Sequence, residues 1–301
     1  MGAIEKAFAR QSEPQNNNQS PGAFSAQKRS IPRHERLMLA SDQGKQQSAN
    51  SHLRDTAKNS FRMPYEDLEA EGMVEANGKR NQLSEEYRAI KRPILSAIDN
   101  AANSGLEHGN IIMVTSCVSG EGKTFSAINL AISIAMERDR TVLLVDGDVT
   151  NPSAGQKLGF KPHQPGLTDI LLDTSLNIND VICHSDIPNL RFLPAGSAAN
   201  HVTELLSSRD MHFLIDSLSA RYRDQVIVFD SAPMLMTSEA TVVADLAGQI
   251  VFVVGAETTT RGMVSDALKM VNNHSRVGFV LNKTRKKQSN IYGYGYGYGY
   301  N

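Results

Sequence analysis

The sequence predicts an α/β fold in which a mainly parallel sheet is covered by helices on both faces. Three observations carry this. Short β-branched apolar runs recur between residues 109 and 282, stretches of helical periodicity separate them, and the polar residues fit for chemistry follow directly after the runs. Uniformly apolar runs are what strands buried on both faces require. Repeated strand–helix–strand order gives a parallel sheet, and ligands of such sheets sit at the carboxyl ends of the strands.

Taken in order, residues 1–80 are rich in Gln, Asn, Ser, Lys and Arg, with Gln15-Asn16-Asn17-Asn18-Gln19-Ser20 as the extreme. Such a stretch buries too little apolar surface to offset its chain entropy, so it is expected to be largely disordered apart from a short helix near Ile4 to Arg10. A charged helix is predicted from Gln82 to Ile98, capped by Ser84 and interrupted near Pro93. Strands are predicted at Ile111–Val114, Val142–Val145, Leu190–Leu193, Val226–Phe229, Ile250–Val254 and Val277–Leu281. Amphipathic helices are predicted at Thr124–Arg138, Ser207–Tyr222, Ser238–Ala247 and Arg261–His274. The resulting organisation is a flank over 1–80, one domain over 81–282, and a basic linker (Lys283-Thr284-Arg285-Lys286-Lys287) with its tail over 283–301.

A net charge of −1, from 31 basic and 32 acidic residues, gives no global attraction to nucleic acid, and none is expected as a partner. Two cysteines, Cys117 and Cys183, are too few for a disulfide framework and fit a reducing compartment. The N-terminal residues lack the apolar core of a secretion signal, and no run reaches the length that spans a bilayer. The expected location is therefore cytoplasmic, with any membrane association made through a partner.

The first long strand runs into Thr115-Ser116-Cys117-Val118-Ser119-Gly120-Glu121-Gly122-Lys123-Thr124-Phe125, which opens a helix. Successive backbone amides and a helix N-terminus form a nest for phosphate oxygens. Ser119, Gly120, Glu121, Gly122, Lys123, Thr124 and Phe125 are thus candidate nucleotide-binding residues, with Lys123 reaching the phosphates and the Thr124 hydroxyl available to Mg²⁺. Cys117 occupies the first position, where this phosphate loop usually has glycine. The next strand ends Asp146-Gly147-Asp148, and a later one ends Phe229-Asp230-Ser231-Ala232-Pro233. Beside the phosphate loop, Asp146 and Asp148 can hold Mg²⁺ or accept a proton, and Asp230 can hold the metal directly or through water.

Near the other end, Tyr292, Tyr294, Tyr296, Tyr298 and Tyr300 alternate with glycine and hold five of the eight tyrosines. Such a segment presents hydroxyls rather than a core-forming face. Measured from Asn282 it has a flexible reach of roughly 23 Å, and about 60 Å when fully extended.

The phosphate loop, the Asp-x-Asp strand end, the Phe-Asp-Ser-Ala-Pro segment and the tyrosine tail together resemble the bacterial tyrosine kinases, in particular the autokinases of exopolysaccharide gene clusters, including those of exosortase systems. The likeness runs over residues 80–301 and takes in Pro165-Gly166-Leu167-Thr168-Asp169-Ile170-Leu171 and Leu193-Pro194-Ala195-Gly196. It implies a P-loop fold of the MinD/ParA kind and ATP-dependent autophosphorylation of the tail, with ATP and Mg²⁺ as cofactors. Lys123, Asp146 and Asp148 would be catalytic, and Asp230 would match the second metal-binding acid. The resemblance further implies a homo-oligomeric ring, a transmembrane activator of the chain-length-determinant type and a phosphotyrosine phosphatase. Glu85, Arg88 and Lys91 match the family's Glu-x-x-Arg-x-x-Arg oligomerisation motif with Lys in last place. A second departure is Thr150, where the family often carries Arg. Two rival readings are an ATPase switch of the MinD/ParA type, whose early loop lysine is replaced here by Val118, and a nonenzymatic scaffold of polysaccharide export.

Overall fold

The computed structural model describes residues 59–73, 81–101, 105–160, 164–173, 175–199, 201–221 and 225–285. The expected helix near Ile4 to Arg10 and the five tail tyrosines lie outside the described residues. In chain order the strands are β1 (Ser60–Phe61), β2 (Ile111–Ser116), β3 (Thr141–Asp146), β4 (Cys183–Ser185), β5 (Leu190–Leu193), β6 (Gln225–Asp230), β7 (Gln249–Gly255) and β8 (Val277–Asn282). The helices are α1 (Tyr65–Ala70), α2 (Gln82–Asp99), α3 (Lys123–Ala135), α4 (Ala154–Lys157), α5 (Leu167–Leu172), α6 (Ile178–Val181), α7 (Val202–Leu206), α8 (Arg209–Arg221), α9 (Glu239–Leu246) and α10 (Arg261–Leu268).

The strands form one sheet in the order β1-β4-β5-β3-β6-β2-β7-β8, parallel except for the β4–β5 pair. Alternation along each central strand divides its side chains between two cores. Ile111, Met113, Leu143, Val145, Ile227 and Phe229 meet α5, α8, α9 and α10, whereas Ile112, Val114, Val142, Leu144, Val226 and Val228 meet α1, α2 and α3. This is the physical basis of the uniformly apolar runs, since a strand with two dry faces has no polar side to show.

Several expectations need correction. Residues 59–73 belong to the folded unit and not to a disordered flank. The β1 strand pairs with β4, and Met63, Leu68 and Met73 are buried in the core that α2 and α3 share. The cap of α2 is Asn81, not Ser84: Asn81 Oδ1 accepts from the Ser84 amide at 2.7 Å, while Ser84 Oγ accepts from the Asn81 amide at 3.0 Å. This reciprocal pair satisfies two amides that the helix start would otherwise leave open. The α2 helix is also continuous through Pro93, because burial of Tyr87, Lys91 and Ile94 holds both halves against α3 despite the missing amide donor. The last helix stops at Leu268, before a 3₁₀ turn at His274–Arg276 that Asn273 caps.

Candidate active site

Because β6 lies between β2 and β3 with all three parallel, the phosphate loop after β2, Asp146 at the end of β3 and Asp230 at the end of β6 meet on one edge. Asp146 and Asp230 are register partners across the β3–β6 ladder. Gly147 follows Asp146 and donates its amide to the Asp230 carbonyl at 2.8 Å. A Cβ at Gly147 would stand 3.1 Å from that same oxygen and from Phe229 Cδ1, a tight fit that glycine avoids.

The loop itself depends on two left-handed glycines, Gly120 (φ 83°) and Gly122 (φ 98°). Gly122 opens α3, and a Cβ there would collide with the Asn282 amide, which donates from Nδ2 to the Glu121 carbonyl at 2.9 Å. Within the loop Glu121 acts as a brace. Its buried carboxylate accepts from the Val118 amide at 2.7 Å and from the Thr259 hydroxyl, fastening the loop to the segment after β7. The Glu121 side chain is therefore committed to the protein, which leaves the backbone amides as the loop's donors toward a ligand. Ser119 is exposed, and Phe125, in the first turn of α3, packs partly buried against the core.

Lys123 Nζ donates to Asp148 Oδ2 at 2.6 Å, and both side chains are buried. The other oxygen of Asp148 accepts from the Thr150 hydroxyl and the Asn151 amide, each at 3.2 Å. Thr150 thus satisfies Asp148 from the position where an arginine was the usual residue. Thr124 Oγ1 lies 2.8 Å from Ser153 Oγ and close enough to Asp230 to favour its ionised form. Neither oxygen of Asp230 has a hydrogen bond within normal distance, and Asp146 satisfies only Oδ2, through the Gly155 amide at 3.1 Å. Burial is the main cause that pushes Asp230 up to about 7, with Lys123 opposing it. Burial likewise raises Asp146 to about 6. Orphaned, buried carboxylate oxygens are expensive without a cation.

These donors fit a small hard cation. Mg²⁺ takes one or two carboxylates and completes its shell with hydroxyl, phosphate and water oxygens. The unsatisfied oxygens, Asp146 Oδ1 and both of Asp230, beside a threonine hydroxyl provide that set, and among the described residues no group of three or more His, Cys, Asp or Glu side chains gathers as a closed protein cage. Beside Asp146 a cavity of about 400 Å³ opens between Val149, Thr150, Phe160 and Pro194.

The proposed oligomerisation residues separate. Glu85 and Arg88 pair along the surface of α2 at 2.6 Å, but Lys91 turns inward, donating to the Ser133 carbonyl and pairing with Glu137 Oε1, each at 2.6 Å. Arg92 is exposed in its place. Sequence reasoning also missed Gly147, Ser153, Thr259 and the loop contact of Asn282. Only the glycine between two acids left a local signal.

A parallel sheet with a phosphate-cradling loop flanked by strand-end carboxylates defines a P-loop nucleotide-binding domain. Residues 109–277 match the AAA domain family. The crystal structure of the VpsO kinase domain is 32% identical, with a TM-score of 0.54, over 66% of this chain and all of that one. Tyrosine-protein kinase YwqD of Bacillus subtilis is 29% identical over 213 residues, which is 70% of this chain and 85% of YwqD. EpsB of Ralstonia nicotianae is 31% identical over 189 residues, 63% of this chain, and the chain spans only 24% of EpsB. The chain belongs to the AAA domain family and, within it, to the bacterial tyrosine kinase domains. Among the described residues, no helix is long and apolar enough to cross a membrane.

Proposed function

We propose that this chain is an ATP-dependent protein tyrosine kinase whose principal acceptors are its own Tyr292, Tyr294, Tyr296, Tyr298 and Tyr300, phosphorylated between subunits. The observation that carries the reading is the convergence of Lys123, Thr124, Asp146, Asp148 and Asp230 on one sheet edge in a chain that ends in a tyrosine cluster.

In this account Thr124, Asp146 and Asp230 hold Mg²⁺, which when bound neutralises phosphate charge. Lys123 leaves Asp148 for the phosphates, and the loop amides cradle their oxygens. Departure of the ammonium frees an Asp148 oxygen. A tyrosine hydroxyl is protonated at neutral pH, its pKa being about 10. Phosphoryl transfer passes through a loose transition state, so positioning and charge stabilisation dominate. Asp148 therefore needs only to accept the phenolic proton late, while the apolar cavity beside Asp146 receives the ring. Buried Tyr87, whose hydroxyl is raised to about 12 by burial, is not an acceptor.

Assembly would use Glu85, Arg88 and exposed Arg92, with Lys91 reserved for stability. The likeness to kinases of exopolysaccharide clusters supports a role in polymer synthesis or export, in the cytoplasm at the inner membrane. A transmembrane activator of the chain-length-determinant type and an opposing phosphotyrosine phosphatase would be the partners. Nucleotide binding tests the site directly. Lys123→Met should weaken Mg-ATP binding at least tenfold by calorimetry, and undiminished binding would remove Lys123 from the site.

A further inference from the structure

The sheet ends at β8, and among the described residues nothing pairs with its outer side. The Ala256 amide donates to the Asn282 carbonyl at 2.8 Å, so Asn282 turns its backbone groups toward β7. Backbone groups alternate in direction along a strand, hence Gly278 and Val280 do the same, and Val277, Phe279 and Leu281 aim theirs outward. An open edge of this kind is a template for another strand. It is also apolar: Phe279 is 54% and Leu281 62% exposed, on the face where Phe279 meets Phe252 at a centroid distance of 5.7 Å. Their opposite face carries Gly278, partly buried Val280 and Asn282, whose side chain reaches the phosphate loop.

The chain leaves this strand through Lys283 in the left-handed conformation, and Arg285 pairs with Glu257 at 3.1 Å. Residues 283–291 then separate β8 from the run Tyr292–Tyr300. Closing a connection of that length costs little more than closing a tight turn. The run alternates tyrosine and glycine with period two, so as a strand it would place all five phenols on one face. We propose that this segment returns antiparallel along β8 as a further strand of the sheet. In that register the phenols cover Phe279 and Leu281, and the glycines fall on the side of Gly278 and Asn282. Tyrosine favours strands, and cross-strand aromatic pairs stabilise them, which offsets the weakness of glycine. The pairing itself is independent of catalysis.

Amide exchange followed by NMR on the full chain, phosphatase-treated and free of nucleotide, tests the pairing without any demand on catalysis. The reference is the same chain with all five tail tyrosines changed to serine. We expect the Phe279 and Leu281 amides to exchange at least tenfold more slowly with the tyrosines present, and Leu281→Lys to abolish the difference. Equal exchange in the two chains would overturn the proposal. Protection that grows with protein concentration would also overturn it, by assigning the edge to the tail of a second copy.

Discussion

Asp230 is fully buried, lacks a hydrogen bond on either oxygen and stands beside Asp146. Its charge is therefore a cost to the nucleotide-free protein and an asset once a cation is present. Asp230→Asn should raise the melting temperature of the nucleotide-free chain by about 2–4 °C, while removing the further rise that Mg-ATP produces. Thermal unfolding with and without ligand reads both effects, and an unchanged ligand-induced rise would count against Asp230 as a metal ligand. Gly147→Ala addresses the packing between the acids. Its Cβ would press on the Asp230 carbonyl, so chemical denaturation should show a loss of about 1–3 kcal/mol. The acids were legible in the sequence because each closes an apolar run. The bracing role of Glu121 was not, since its partner Thr259 lies 138 residues away and only the fold brings them together.

The α2 helix shows what spacing alone can mislead about. Each residue turns a helix by about 100°, so two steps of three residues carry Lys91 about 120° from Glu85, off the shared face. The buried positions Ser84, Tyr87, Lys91 and Ile94 follow the inward stripe instead. Lys91→Met should cost about 1–2 kcal/mol by denaturant unfolding, a modest loss because Glu137 is nearly half exposed. It should leave assembly unchanged. The pair Arg88→Ala and Arg92→Ala should do the reverse, lowering the oligomer fraction in sedimentation at unchanged melting temperature. The six predicted strands all correspond to strands of the sheet, but β1 and β4 escaped notice. Ser60–Phe61 and Cys183–Ser185 are too short and polar to give a periodic signal, and they depend on partners far along the chain.

For the molecule as a whole, the raised Asp146 and Asp230 set a pH dependence with a definite sign. Folded values of about 6 and about 7 exceed the ordinary 3.8, so the folded state holds protons that the unfolded chain releases. Their stabilising contribution is complete below 3.8 and is lost as pH rises through 6 to 7. Melting curves of the nucleotide-free chain should therefore show these carboxylates favouring the folded state at pH of about 5.5 over pH of about 8, and the D230N chain should lose most of that dependence. Mg-ATP should stabilise more at the higher pH, where both acids are ionised. The central claim is transfer to the tail. Purified chain incubated with Mg-ATP, beside Lys123→Met, should give phosphate on Tyr292 to Tyr300 by mass spectrometry only when Lys123 is intact. ATP hydrolysis without any phosphotyrosine, even with the cytoplasmic segment of a candidate activator added, would contradict the kinase account and favour an ATPase switch.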